Sequence, residues 1–132
     1  MATMKEVCER VGMSYETLRF YCIEGLVPNV TRDENNYRRF DERNMRWLES
    51  LQCLKRCGMG IQDMKAYMNL CLDGISSIPE RKEMLDNLRK NLVCRLDEIN
   101  ASIDYIDTKQ AFYDGVLSGE LPYKSNLIAS DG

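Results

Sequence analysis

Histidine is absent from this chain of 132 residues. That removes imidazole-based general acid-base catalysis and any mixed Cys/His zinc site. No run of about 18 apolar residues occurs, so no membrane-spanning helix is expected. The N-terminus lacks the basic-then-apolar pattern of an export signal, and the expected location is cytoplasmic. No nucleophile–base pair, phosphate-binding loop or metal cage can be read from the residues. The chain is therefore not expected to be an enzyme, nor to need a metal or other cofactor.

Excess positive charge is also lacking, since the net charge is −3. The distribution is more informative than the total. Residues 1–66 carry 11 basic and 10 acidic side chains, a balance of +1, and the remainder carries 7 and 11, a balance of −4. Arg32, Arg38, Arg39, Arg43 and Arg46 fall close together. A local basic patch of this kind is what phosphate contact requires.

What the chain does have is helix punctuation. Thr3 and Glu6 form a capping box ahead of a first helix with Val7 and Val11 inward, and Gly12 suits the left-handed residue that stops it. Ser14 caps a second helix from Tyr15 to about Glu24, with Leu18, Tyr21 and Cys22 at helical spacing, closed by Gly25. Two helices joined by so short a turn match a helix-turn-helix. Val30 to Phe40 lacks helical periodicity and holds the turn signal Asp33-Glu34-Asn35-Asn36, which predicts a small hairpin wing. Asp41 caps a third helix with Met45, Leu48, Leu51 and Leu54 inward and Trp47 beside them. A fourth helix is predicted over Ile61–Leu72, with Met64, Met68 and Cys71 inward.

Ser77 is expected to cap a final helix reaching about Leu117, with Glu80 completing a second capping box. Its apolar seam is Leu85, Leu88, Leu92, Leu96, Ile99, Ile103 and Ile106, stepping by three and four with one stutter at Leu92–Leu96. A lone helix cannot bury such a stripe, so an antiparallel partner is expected. The fold class is thus mainly α, with a winged helix-turn-helix over residues 1–75, a coiled-coil dimerisation helix over 76–117 and a tail over 118–132. The tail is expected to be mobile or strapped across the partner.

The ordered run T-L-R-F-Y, E-G-L-V-P, and N-Y-R-R-F, followed by two helices and a coiled coil, resembles the MerR family of bacterial transcription regulators. The resemblance spans about Met4 to Tyr113. It implies a homodimer that binds double-stranded promoter DNA, with RNA polymerase at the same promoter and no membrane partner. Matched by motif, Ser14, Tyr15, Thr17 and Arg19 face DNA from the second helix, and Tyr21 contacts phosphate. Arg32, Tyr37 and Arg38 act from the wing. Members of the family bend and untwist an overlong promoter spacer, so activation works through DNA shape.

Metal-sensing branches place cysteines at the start of the coiled coil and in a loop after it, but no cysteine follows Cys94. The tight cluster of the iron–sulfur branch is missing too. The pattern Trp47-Leu48-Glu49, Leu51, Cys53-Leu54-Lys55, Gly58-Met59 resembles the short thiol-dependent branch associated with reactive aldehydes and other electrophiles. Cys53 sits at that branch's characteristic cysteine, and Cys57 adds a thiol one turn later.

Bland readings stand beside these. Cys53 can be a small core residue, Cys53 with Cys57 can chelate a soft metal across two protomers, and Arg39 and Arg43 can face solvent instead of phosphate. Cys8, Cys22, Cys71 and Cys94 are expected to pack, all six thiols being reduced. The alternative function is an architectural or recombination-accessory DNA binder that senses nothing.

Overall fold

The computed structural model describes residues 1–129. Five helices are present among them: α1 (Met4–Val11), α2 (Tyr15–Ile23), α3 (Glu42–Arg56), α4 (Ile61–Leu72) and α5 (Ile78–Leu117). A two-stranded antiparallel ribbon, β1 (Thr31–Arg32) and β2 (Arg38–Arg39), lies between α2 and α3. No helix among the described residues is long and apolar enough to cross a membrane.

The chain divides into two compact units, Met1–Leu92 and the part from Val93 onward. In the first, local sequence sets the helix ends. Thr3 Oγ1 accepts the Glu6 N–H while the Glu6 carboxylate accepts the Thr3 N–H, and Gly12 stops α1 at φ +75°. Asp41 and Asn44 make the same reciprocal pair at α3. Asn44 is buried, and its Nδ2 also donates to the Pro28 carbonyl at 3.0 Å. That bond ties the entrance of α3 to the loop leaving α2.

Val7 from α1, Leu18 and Tyr21 from α2, Leu26, Phe40, then Leu48 and Leu51 from α3 and Met64 from α4 form the core. Each fully buried aliphatic side chain there contributes roughly 1.5–3 kcal/mol. Met84 and Leu88 of α5 pack against this same core, half-buried. Ala2 pairs with Phe40 through both backbone bonds, at 2.8 and 2.9 Å, which anchors the end of the ribbon away from its turn.

Ser77 does not cap α5. A short 3₁₀ turn over Ile75–Ser77 runs straight into the helix. The buried Ser77 hydroxyl instead bonds the Leu70 and Gly74 carbonyls and accepts from Arg81 Nε. Arg81 also reaches the Gly74 carbonyl at 2.6 Å. Continuous helical geometry through Ile78 leaves no extended residue for a capping box to act on.

In the second unit, Leu96, Ile99, Ile103 and Ile106 are about half exposed. Beyond α5 the chain turns back at Gly119, φ +84°, and the Glu120 and Leu121 N–H groups both reach the Gly115 carbonyl. A Cβ on residue 115 would fall 2.5 Å from Leu121 Cδ1, so a side chain there would push the exposed Leu121 side chain aside.

Candidate nucleic-acid interface

The second helix presents two unlike faces because its apolar residues sit at helical spacing. Leu18 and Tyr21 point into the core, while Tyr15 and Arg19, four residues apart, lie on the exposed side. None of the ion pairs among the described residues involves Arg19. Ser14 caps the helix by accepting the Thr17 N–H at 3.1 Å, and its hydroxyl donates to Thr17 Oγ1 at 2.8 Å. The exposed N-terminus of α2, with its positive dipole end, thus carries two hydroxyls.

Tyr21 lies on the inward stripe that its spacing with Leu18 predicts, which departs from the phosphate contact implied by the resemblance. It is only 2 % exposed, and its hydroxyl is buried with no hydrogen-bond partner among the described residues. Burial pushes its phenol above the usual tyrosine range. It is a core residue here, because position 21 falls on the same inward face as Leu18.

In the ribbon, Thr31 pairs with Arg39 and Arg32 with Arg38. Tyr37 is 66 % exposed and Arg38 half-buried. Arg32 Nη1 donates to the Asn36 carbonyl at 2.7 Å. The two arginines left open by the sequence behave differently: Arg39 is held by Asp33 at 2.7 Å, whereas Arg43 reaches Asp41 only at 3.6 Å and stays largely in solvent. Arg10 and Glu42 form a bidentate pair at 2.6 and 2.8 Å that links α1 to α3. The Arg10 guanidinium holds the Glu42 carboxyl below its usual range.

Sequence reasoning overlooked two basic residues on this face. Lys55 and Arg56 line a groove of about 590 Å³ together with Ser14, Thr17 and Gln52. Their only sequence signal was adjacency to Cys53.

Cys53 is exposed, with Arg56 Nη2 4.0 Å from its sulfur. It opens onto a groove of about 600 Å³ shared with Trp47, Ser50, Tyr67 and Cys71. Trp47 and Tyr67 stack there, and the Trp47 indole N–H donates to the Leu26 carbonyl at 2.7 Å. Cys57 is half-buried at the end of α3 and does not line this groove; the thiol that shares it with Cys53 is Cys71. Cys71 was expected only to pack, yet it lies 4.0 Å from Arg81 Nη1. Cys94 was also expected to pack, and it is exposed. Cys8 and Cys22 are half-buried, and burial pushes both thiols up. Among the described residues no group of three or more Cys, Asp or Glu side chains is arranged to hold a metal ion.

A helix-turn-helix followed by an arginine-bearing ribbon matches a known family over more than half of the chain. The sequence profile described as MerR HTH family regulatory protein covers residues 2–71. The chain belongs to the MerR family. It is thus a DNA-binding transcription regulator rather than an enzyme. An uncharacterised HTH-type transcriptional regulator of Haemophilus influenzae is 41% identical over 111 residues, covering 84% of this chain and 82% of the relative. The HTH-type transcriptional regulator AdhR of Bacillus subtilis is 33% identical over 88 residues, covering 67% and 63%. Among solved structures, HiNmlR, a MerR family regulator lacking the sensor domain and bound to promoter DNA, is 38% identical with a TM-score of 0.75, covering 92% of this chain and 96% of that one. The MerR profile ends at residue 71, so it includes α2, the ribbon, Cys53 and Cys71.

Proposed function

We propose that this MerR regulator works as a homodimer that distorts promoter DNA and changes its output when an electrophile adds to Cys53. Functionally, residues 1–75 read DNA, 76–117 join two protomers through an antiparallel coiled coil, and 118–132 form a tail. The observation that carries the reading is the exposed face of α2, where Arg19 stands unpaired beside Tyr15 and the capped hydroxyls of Ser14 and Thr17. That face enters a major groove, with Arg19 as the base-reading side chain. Arg32, Tyr37 and Arg38 flank it on the backbone, and Lys55 and Arg56 receive a phosphate on the other side.

The half-exposed stripe of Leu96, Ile99, Ile103 and Ile106, together with Leu85, supports pairing between two copies, because so long an apolar seam is unfavourable in water. Two linked reading helices then fall on one side of the duplex and strain the spacer between them, which RNA polymerase at the same promoter reads as DNA shape. Such a protein acts in the cytoplasm.

Cys53 has the access that covalent sensing needs, and the Arg56 guanidinium lies near its sulfur. With an aldehyde, the sulfur attacks the carbonyl carbon, a C–S bond forms, and the carbonyl oxygen takes the thiol proton. No oxidant is required. The added group occupies the groove lined by Trp47 and Tyr67 and biases one of two packed arrangements. The test is promoter output with and without formaldehyde, read with intact mass. Cys53→Ala should keep DNA affinity and lose the response, and Cys57→Ala should keep at least part of it. An undiminished response in Cys53→Ala overturns the sensing role. DNA binding with no aldehyde response even in the wild type would favour an architectural binder.

A further inference from the structure

The ribbon that carries Arg32, Tyr37 and Arg38 has too little structure of its own to hold its shape. Each strand is two residues long, and isolated two-stranded ribbons are at best marginal in water. One of its two cross-strand pairs is Arg32 opposite Arg38, a like-charge pairing that works against the ladder. The Asp33 side chain braces the turn. Asp33 Oδ1 accepts the Asn35 N–H at 2.9 Å and the Tyr37 N–H at 3.0 Å, and Asp33 Oδ2 pairs with Arg39 at 2.7 Å. The Asp33 backbone joins in, its N–H donating to the Tyr37 carbonyl and its carbonyl accepting from Asn36, both at 2.9 Å. Asn36, at φ +66°, completes the reversal.

We propose that Asp33 is the positioning residue of the DNA-binding wing: its carboxylate shapes the turn that presents Tyr37 and Arg38, and it takes Arg39 out of phosphate contact. This rests on the DNA-binding reading and goes beyond it, because an acidic residue on a DNA-facing element is ordinarily expected to weaken binding. The backbone bonds that converge on Asp33 also hold its carboxyl below the usual range, so it stays ionised at neutral pH.

Charge and positioning make opposite predictions, and two variants separate them. Asp33→Ala removes a negative charge and both bonds to the turn. Asp33→Asn removes the same charge but keeps a carbonyl oxygen able to accept both N–H groups. In anisotropy titrations of the full-length protein on its promoter DNA, Asp33→Ala should bind at least about tenfold more weakly than wild type, since a dimer loses four turn bonds. Asp33→Asn should bind as tightly as wild type or tighter, with a steeper salt dependence as Arg39 becomes available to phosphate. In an Arg38→Ala, Tyr37→Ala background, Asp33→Ala should cost less than twofold, because it acts through those side chains. Tighter binding by Asp33→Ala, or equal weakening by both variants, overturns the proposal. Failure of the wild-type protein to bind that DNA at all would instead overturn the DNA-binding reading on which the proposal rests.

Discussion

Replacing Arg19 by alanine isolates base reading from everything else in the structure. Arg19 lies on the outer face of α2, is exposed, and takes part in none of the ion pairs among the described residues. Its truncation therefore removes no packing that the core depends on, and exposed substitutions of this kind usually move stability by less than about 0.5 kcal/mol. A good bidentate contact to a base contributes about 1–3 kcal/mol of discrimination. A symmetric dimer loses the contact twice, about 2–6 kcal/mol in all. At 1.4 kcal/mol per decade this is a weakening of about 25-fold to about 20,000-fold. The assay is fluorescence anisotropy on a promoter fragment, with a scrambled duplex as competitor and thermal melting as the control for folding. Specific binding should collapse toward the level of the scrambled duplex while the melting midpoint stays within a degree or two. Affinity within twofold of wild type would refute Arg19 as the base-reading residue and move recognition to another part of the α2 face.

Arg38→Ala should weaken binding to specific and scrambled DNA by similar factors and make the salt dependence shallower by about one phosphate per wing; a loss confined to the specific duplex would reassign Arg38 to base reading. Brief alkylation at neutral pH, read by peptide mass spectrometry, should label the exposed Cys53 and Cys94 before Cys8 and Cys22, whose thiols burial pushes up; prior labelling of Cys22 would contradict the placement of these thiols. Asp41 is held below its ordinary range chiefly by the Asn44 N–H, and Glu42 chiefly by Arg10. Groups depressed in the fold add stability above their unfolded values, near 4, and lose it as pH falls through their folded values. The melting midpoint should thus hold from pH 7 to about 5 and decline below about 4, whereas a midpoint that rises on acidification would contradict these pairings.

The parts of this molecule that were legible in the sequence are those set by neighbours a few residues away. Thr3 with Glu6, Ser14, Asp41, and the glycines at 12, 25 and 58 act within one turn of the backbone, so composition and spacing suffice to locate the helix ends. The inward residues of α3 follow from the same periodicity. What was not legible depends on contacts that spacing alone does not specify. Ser77 looks like a cap until Arg81 and the Leu70 carbonyl claim its hydroxyl. The inward turn of Tyr21 followed from its spacing with Leu18, but the burial of its hydroxyl without a partner did not. Cys57 is nearer to Cys53 in sequence, yet Cys71, on a different helix, shares its groove. Asp33 reads as an ordinary turn residue until the ribbon register brings Arg39 beside it.

The central claim is that two copies of the α2 face, joined through α5, grip one promoter and deform it. Hydroxyl-radical and DNase I footprinting of the full-length protein on the DNA upstream of its own gene tests this directly. Two protected half-sites on one face of the duplex are expected, with centres separated by a whole number of helical turns of about 10–10.5 base pairs. The DNA between them should show enhanced cleavage where it is bent, and Ile99→Asp, which places a charge in the seam, should abolish the paired footprint at the same protein concentration. A single protected half-site, or a paired footprint that survives Ile99→Asp unchanged, would contradict the account.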